Sequence, residues 1–236
     1  MGFLVNSYIE FPDLTFTPAS ISGLISWYDF SDSSTITKDG SNLISQVDDK
    51  SGNGYNLVQA TGGSKPLWVS SGQNSLDIGN FTSSKSMTAD YGSDRSQPHT
   101  VAGAVKSPIS SGSAQLNIYD TLANGSSGGG FANDDNGLMN IYSASPSLTI
   151  GESGYTDVWL TFCNIYGGSG DLRLNSVSKD SGNTGTTTWN GFTLSAHRDI
   201  ANFGNILVGE VITYDSAISG SDLSDLESYL TDKWIP

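Results

Sequence analysis

Cleavage of a glycosidic bond needs two carboxyl groups held across the scissile linkage, roughly 5–10 Å apart. The acidic residues are therefore the first place to look for chemistry. Of the 24 acids only four are glutamates, Glu10, Glu152, Glu210 and Glu227, and no two of them lie near one another in the chain. Glu210 stands alone in a strand-like run and reads as structural. For a serine nucleophile, Gly125-Ser126-Ser127-Gly128-Gly129 matches G-x-S-x-G. That motif works only on a strand–turn–helix elbow, and the following Gly130-Phe131-Ala132-Asn133-Asp134-Asp135 has no helical character, so the match reads as chance in a Gly/Ser-rich chain. The two histidines, His99 and His197, read as edge or loop residues rather than general bases. With the lone Cys163 they do not make up a familiar structural zinc set. Phosphate-cradling motifs are absent. The expectation is a protein that binds rather than catalyses.

Binding chemistry is better represented. Sugars are recognised by aromatic faces flanked by Asn, Asp and Gly backbone. Three places offer this: Trp189-Asn190-Gly191, Trp68, and Tyr91-Gly92. Trp189 is the first choice of the three, against the plainer alternative of a ring covering the end of the core. Asn133-Asp134-Asp135-Asn136-Gly137 clusters oxygen ligands, so Asp134, Asp135 and Asn136 could hold Ca²⁺. The run lacks EF-hand spacing and a distal Glu, and adjacent acids before Gly also make a solvated turn. No cofactor is otherwise implied. The first 20 residues are dense in apolar groups, with Phe3, Leu4, Val5, Tyr8 and Phe11 foremost, while Pro12 and Pro18 argue against a helix. This segment is either an extended arm that docks on a partner or a first edge strand.

These groups must be positioned by a mostly β framework. The chain has 236 residues, 28 of them Gly, and only 14% charged residues. Its acids are mostly Asp, a turn former, rather than Glu, a helix former. One sandwich domain accommodates this length. The net charge of −14 repels phosphate backbones and anionic membranes, so neither nucleic acid nor membrane is an expected partner. Cys163 lies in the apolar run Val158–Cys163 and is expected to be a buried thiol. The N-terminus carries no signal-peptide pattern, which implies synthesis in a cytosol.

Strand-like runs occur at Leu24–Phe30, Leu67–Val69, His99–Lys106, Gln115–Thr121, Leu138–Tyr142, Val158–Ile165, Asp171–Val177, Phe192–His197 and Ile206–Tyr214, separated by turn clusters. Alternation in Val208–Tyr214 predicts a half-buried strand. Trp27 and Tyr28 should point to opposite faces, one into the core and one partly exposed. A helix is predicted to close the chain, capped at Ser219, with Leu223, Leu226, Leu230 and Trp234 forming one apolar stripe.

Three stretches carry a resemblance. Gly23-Leu24-Ile25-Ser26-Trp27-Tyr28-Asp29-Phe30-Ser31-Asp32 resembles the opening strand of laminin-G-like, concanavalin A-like lectin domains of the kind found in phage virion proteins and bacterial surface proteins. Gln46–Leu57, with Asp48-Asp49-Lys50-Ser51-Gly52-Asn53-Gly54, is similar to a turn of that family. Gly209–Asp215 followed by Leu226–Trp234 is similar to its last strand and closing helix. Val47 stands where the family often has Trp, a position read as packing. The resemblance implies an all-β, two-sheet antiparallel sandwich with a jelly-roll topology and a short C-terminal helix over residues 21–236, preceded by the arm at 1–20. Glucanases of this fold carry Glu-x-Asp-x-Glu or a near variant on one strand, and no strand here does. The implied function is a non-enzymatic virion component, either a capsid decoration or a tail or head fibre. Its lectin-like domain would face outward at the virion surface, with capsid or tail proteins as partners and host glycans as a further ligand. The alternatives are a free carbohydrate-binding module and, last, a glycoside hydrolase. Oligomeric state stays open.

Overall fold

The computed structural model describes residues 16–106, 116–123, 127–131, 139–143, 147–149, 155 and 157–235. In chain order the first strands are β1 (Leu24–Asp29), β2 (Ile36–Lys38), β3 (Ile44–Val47), β4 (Leu57–Val58), β5 (Leu67–Gln73) and β6 (Leu76–Asn80). The middle of the chain supplies β7 (Met87–Arg95), β8 (His99–Lys106), β9 (Leu116–Asp120), β10 (Ser127–Phe131), β11 (Met139–Ser143) and β12 (Ser147–Thr149). The last are β13 (Trp159–Tyr166), β14 (Gly170–Leu174), β15 (Val177–Gly182), β16 (Trp189–Leu194) and β17 (Leu207–Tyr214), before the helix α1 (Gly220–Trp234).

The strands form two antiparallel sheets. One runs β15-β14-β13-β8-β17-β6-β5, with β1 also paired to β17; the other runs β12-β11-β10-β9-β16-β7-β4-β3-β2. This is the expected sandwich with its short terminal helix. Ser127 lies in β10 and not on an elbow. The run expected as one strand over Asp171–Val177 is a hairpin. Asn175 and Ser176 take φ of 47° and 63° and reverse the chain, the left-handed geometry a two-residue turn requires. Several short strands, among them β2, β3, β4 and β12, have too few residues for a periodic signature.

Two cores flank the first sheet. Between the sheets lie Tyr28, Val47, Val101, Val105, Leu160, Phe162, Phe192 and Val211; the burial of Val47 agrees with its reading as a packing site. On the outer face, under α1, lie Trp27, Ala102, Ala104, Cys163, Ile212, Leu226, Leu230 and Trp234. Covering both faces explains why β17 is buried nearly throughout and is not the half-exposed strand that alternation suggests. The same cause corrects the expectation for Trp27 and Tyr28: they point to opposite faces, but both are buried. The helix stripe behaves as predicted, with Leu226, Leu230 and Trp234 buried. Ser219 occupies the N-cap, yet its side chain makes no capping hydrogen bond.

The turn that follows Asp49 is tied to β1. Gly52 and Gly54 take φ of 89° and 79°. The Asp49 carboxylate accepts from the Trp27 amide at 2.9 Å, the Ser51 amide at 2.9 Å and the Tyr55 amide at 3.1 Å. Asn53 Nδ2 donates to the carbonyls of Leu24 and Ile25.

The helix is fastened through Glu210, which is fully buried. Its carboxylate accepts from Trp27 Nε1 at 2.5 Å, Tyr229 Oη at 2.8 Å, Lys233 Nζ at 2.8 Å and Trp234 Nε1 at 3.0 Å. Trp234 lies against Gly209, where a β-carbon would come within 2.7 Å of the indole. Lys233 also reaches Asp29 at 2.9 Å, and Lys50 pairs with Asp29 at 3.1 Å and Asp32 at 2.8 Å. Burial, followed by the nearby Asp29, pushes the Glu210 carboxyl up. Burial would also raise Asp29, but Lys233, Ser31 and Lys50 outweigh it and hold that carboxyl down. Hydrogen bonding from Lys50 and Ser34 brings Asp32 to about 2.

Removing one partner of a buried pair leaves an uncompensated charge. Lys233→Met should therefore cost about 3–5 kcal/mol in urea unfolding, and Glu210→Gln in the same chain should recover part of that loss. Because Asp29 and Asp32 are held below ordinary values, their pairs stabilise the fold above about pH 4, and that stability is lost as pH falls through the folded values. Lys50→Met should move the acid-unfolding midpoint, followed by near-ultraviolet circular dichroism, to higher pH.

Candidate functional site

At one end of the sandwich, three connections converge: the β7–β8 connection with Ser96, Gln97 and Pro98, the β13–β14 turn at Gly167–Ser169, and the β15–β16 connection through Gly185 and Thr186. They enclose a cleft of about 430 Å³ lined by Ser96, Gln97, Pro98, Gly167, Gly168, Gly185 and Thr186. A second cleft of about 400 Å³, bounded by Gly168, Ser169, Asp171, Ser178 and Ser181, adjoins it across Gly168. Their walls are backbone and short neutral side chains, with Asp171 as the single acid. That carboxylate is paired with Arg173 at 3.0 Å and accepts from Ser178 at 2.6 Å. The loops are held in place locally: Gly167 N donates to Thr184 Oγ1 at 2.9 Å, and Thr184 N donates to the Gly167 carbonyl at 3.0 Å.

Residues next in sequence to the cleft lining carry a stack of rings. His99 sits between Tyr166 (centroids 4.4 Å apart, 25° between planes) and Trp189 (4.3 Å, 13°). Tyr91 meets Trp189 edge-on at 5.5 Å. The Arg95 guanidinium lies over the rings of Tyr55 and Tyr91 and donates to Tyr55 Oη at 3.1 Å. Burial alone drives the His99 imidazole down to about 3, so it is neutral, and burial pushes the Tyr91 hydroxyl up to about 12.

This geometry corrects several expectations. Trp189 is 1% exposed and Tyr91 2% exposed, so neither ring offers a face to a ligand; both fill the gap between the sheets where the strands end. Asn190 accepts from the Ala123 amide at 3.1 Å and thereby serves the fold. Trp68 is half-buried on edge strand β5, and Lys38 covers its ring at 4.2 Å from the centroid. His99 opens the strand β8, as expected, but β8 is a central strand and the ring is buried, so it is neither an edge nor a loop residue. His197 does lie in a turn, as expected, with Nε2 3.4 Å from the buried Asp120. Asp120 also accepts from the Thr121 and Arg198 amides, so it anchors that turn. Asp134, Asp135 and Asn136 lie outside the described residues, as do Phe3, Leu4, Val5, Tyr8 and Phe11. The described end of the arm lies on the domain: Phe16 packs on Tyr229, and the Pro18 carbonyl accepts from Tyr214. The cleft residues Gln97, Pro98, Gly168 and Thr186 were not legible as a site. Their one signal was Gly/Ser richness, which every turn in this chain shares.

No protein-family model matches the chain, and no curated protein is significantly similar to it in sequence. Solved structures do match. Domain 4 of AbnA, a GH43 extracellular arabinanase from Geobacillus stearothermophilus solved with arabinotriose, superposes with a TM-score of 0.60 at 16% identity, covering 86% of this chain and 98% of that one. The binding domain of botulinum neurotoxin serotype G gives 0.61 at 12% identity, covering 89% and 51%. Trypanosoma rangeli sialidase in complex with the inhibitor DANA gives 0.56 at 13% identity, covering 90% and 34%. The likeness is one of fold. The chain spans about half of the toxin domain and about a third of the sialidase.

Two substitutions separate packing from cleft. Trp189→Ala should cost about 3–5 kcal/mol in thermal unfolding, as emptying a large core site does. Gly168→Phe should change stability by no more than about 0.5 kcal/mol, because a β-carbon there meets nothing within 4 Å.

Proposed function

We propose that this chain is a non-enzymatic, lectin-like binding domain that takes a neutral oligosaccharide in the paired clefts at the β7–β8, β13–β14 and β15–β16 end. One observation carries the reading: two adjoining clefts, joined at Gly168 and walled mostly by backbone, Ser, Thr, Gln and Pro, with one ion-paired acid, Asp171. Such a lining presents donors and acceptors to hydroxyl groups. A chain of net charge −14 disfavours anionic ligands at long range. The non-enzymatic reading draws support from the buried acids. Asp29 and Glu210 share Lys233 beneath the helix, and Asp120 is engaged by backbone amides. All three are buried.

The domain is further proposed to be carried on the outside of a virion, as a decoration or fibre component in contact with capsid or tail proteins. The motifs at Gly23–Asp32, Gln46–Leu57, and Gly209–Asp215 with Leu226–Trp234, together with the net charge of −14, support that placement. The reading as a free carbohydrate-binding module is favoured by a different observation, the 98% coverage of an arabinanase's fourth domain. Glycan affinity is common to both. Detection of the chain in density-purified phage particles by mass spectrometry separates them, and its absence from particles would leave the free module.

The site itself is tested by calorimetric titration with neutral trisaccharides of arabinose, xylose, glucose and mannose. At least one should bind, with the same affinity in EDTA because no metal is invoked. Gly168→Phe should reduce that affinity at least tenfold, since its ring would occupy both clefts, a loss of about 1.4 kcal/mol. Binding unaffected by Gly168→Phe would remove the clefts from the proposal, and turnover of any of these sugars would overturn the non-enzymatic reading.

A further inference from the structure

His99 is 1% exposed, and neither ring nitrogen has a hydrogen-bond partner among the described residues; the same holds for Trp189 Nε1, in the ring stacked on it. Buried polar groups are nearly always paired, because an unmade hydrogen bond forfeits solvation without return. If this position served packing alone, phenylalanine would stack equally well between Tyr166 and Trp189 without that cost. Three unmatched nitrogens at one spot instead mark a place that a polar group reaches.

The location says from where. Pro98, the residue before His99, and Gly167, the residue after Tyr166, both line the first cleft. A β-carbon on Gly167 would lie 3.5 Å from Pro98 Cβ, so the seam where these two residues face each other is the part of the cleft wall joined directly in sequence to His99 and Tyr166. The chemistry says what. A neutral imidazole carries one donor and one acceptor, and the indole adds a donor. A carboxylate only accepts and an ammonium only donates; a hydroxyl or a water does both.

We propose that His99 is the buried specificity-determining group of this cleft, hydrogen-bonding through the Pro98–Gly167 seam to a hydroxyl of the neutral glycan, directly or through one water. The inference rests on the clefts being the glycan site, and its test distinguishes the two. His99→Phe preserves the stack of three rings and removes both nitrogens. With the tightest-binding trisaccharide of the panel above, it should retain the wild-type thermal midpoint or raise it, yet weaken binding by roughly tenfold or more. In the wild-type protein, the ¹⁵N resonances of the His99 imidazole should shift on titration with that trisaccharide and stay fixed in Gly168→Phe. The resonance experiment stands even if His99→Phe does not fold. Wild-type affinity in His99→Phe, or imidazole resonances that ignore the sugar, would overturn the role of His99 while Gly168→Phe still abolished binding. Binding that survives Gly168→Phe would overturn the cleft, and His99 with it.

Discussion

A single buried carboxylate connects the elements that would otherwise part most easily. Glu210 lies in the central strand β17, and its four donors come from β1 (Trp27) and from the last turns of α1 (Tyr229, Lys233, Trp234). A carboxylate removed from water demands such partners, and the geometry that supplies them permits only one seating of the helix. Three of the donors also belong to apolar contacts: Trp27 and Trp234 are part of the outer core, and Tyr229 packs against it. The polar demand and the burial of the helix stripe therefore select the same arrangement. The helix in turn makes the first sheet a two-faced layer, buried on both sides.

At the end where β7, β13 and β15 give way to connections, the core closes on rings instead of aliphatic groups. His99, Tyr166, Trp189 and Tyr91 fill the gap between the sheets where the strands run out, and the loops above them carry the clefts. Aromatic packing between the sheets and hydrogen-bonded Gly/Ser connections thus occur together at this end, and the cleft linings are small and mostly polar.

The structures that share this fold include a domain solved with arabinotriose, a toxin binding domain and a sialidase. The range of these proteins shows how little the sandwich itself specifies about ligand. In this chain the Gly167–Ser169 turn lies where the two clefts adjoin, and Gly168 lines both.

The amino-acid sequence by itself determined the layered β architecture, most of the long strands, the closing helix with its stripe at Leu226, Leu230 and Trp234, the positive-φ turn at Gly52 and Gly54, and the buried Cys163. Each depends on local periodicity or on a conformational preference that residues carry wherever they are placed. Only the tertiary structure decided burial at the strand ends and the identity of the site. Trp189 and Tyr91 look exposed beside Asn and Gly, yet the opposite sheet covers them. His99 follows a proline like a loop residue, yet lies between two rings contributed by strands distant in the chain. The clefts are made of Gly, Ser, Thr, Gln and Pro, residues whose composition is that of any turn. They come together only when three connections, one of them far earlier in the chain than the other two, are brought to the same end by strand pairing.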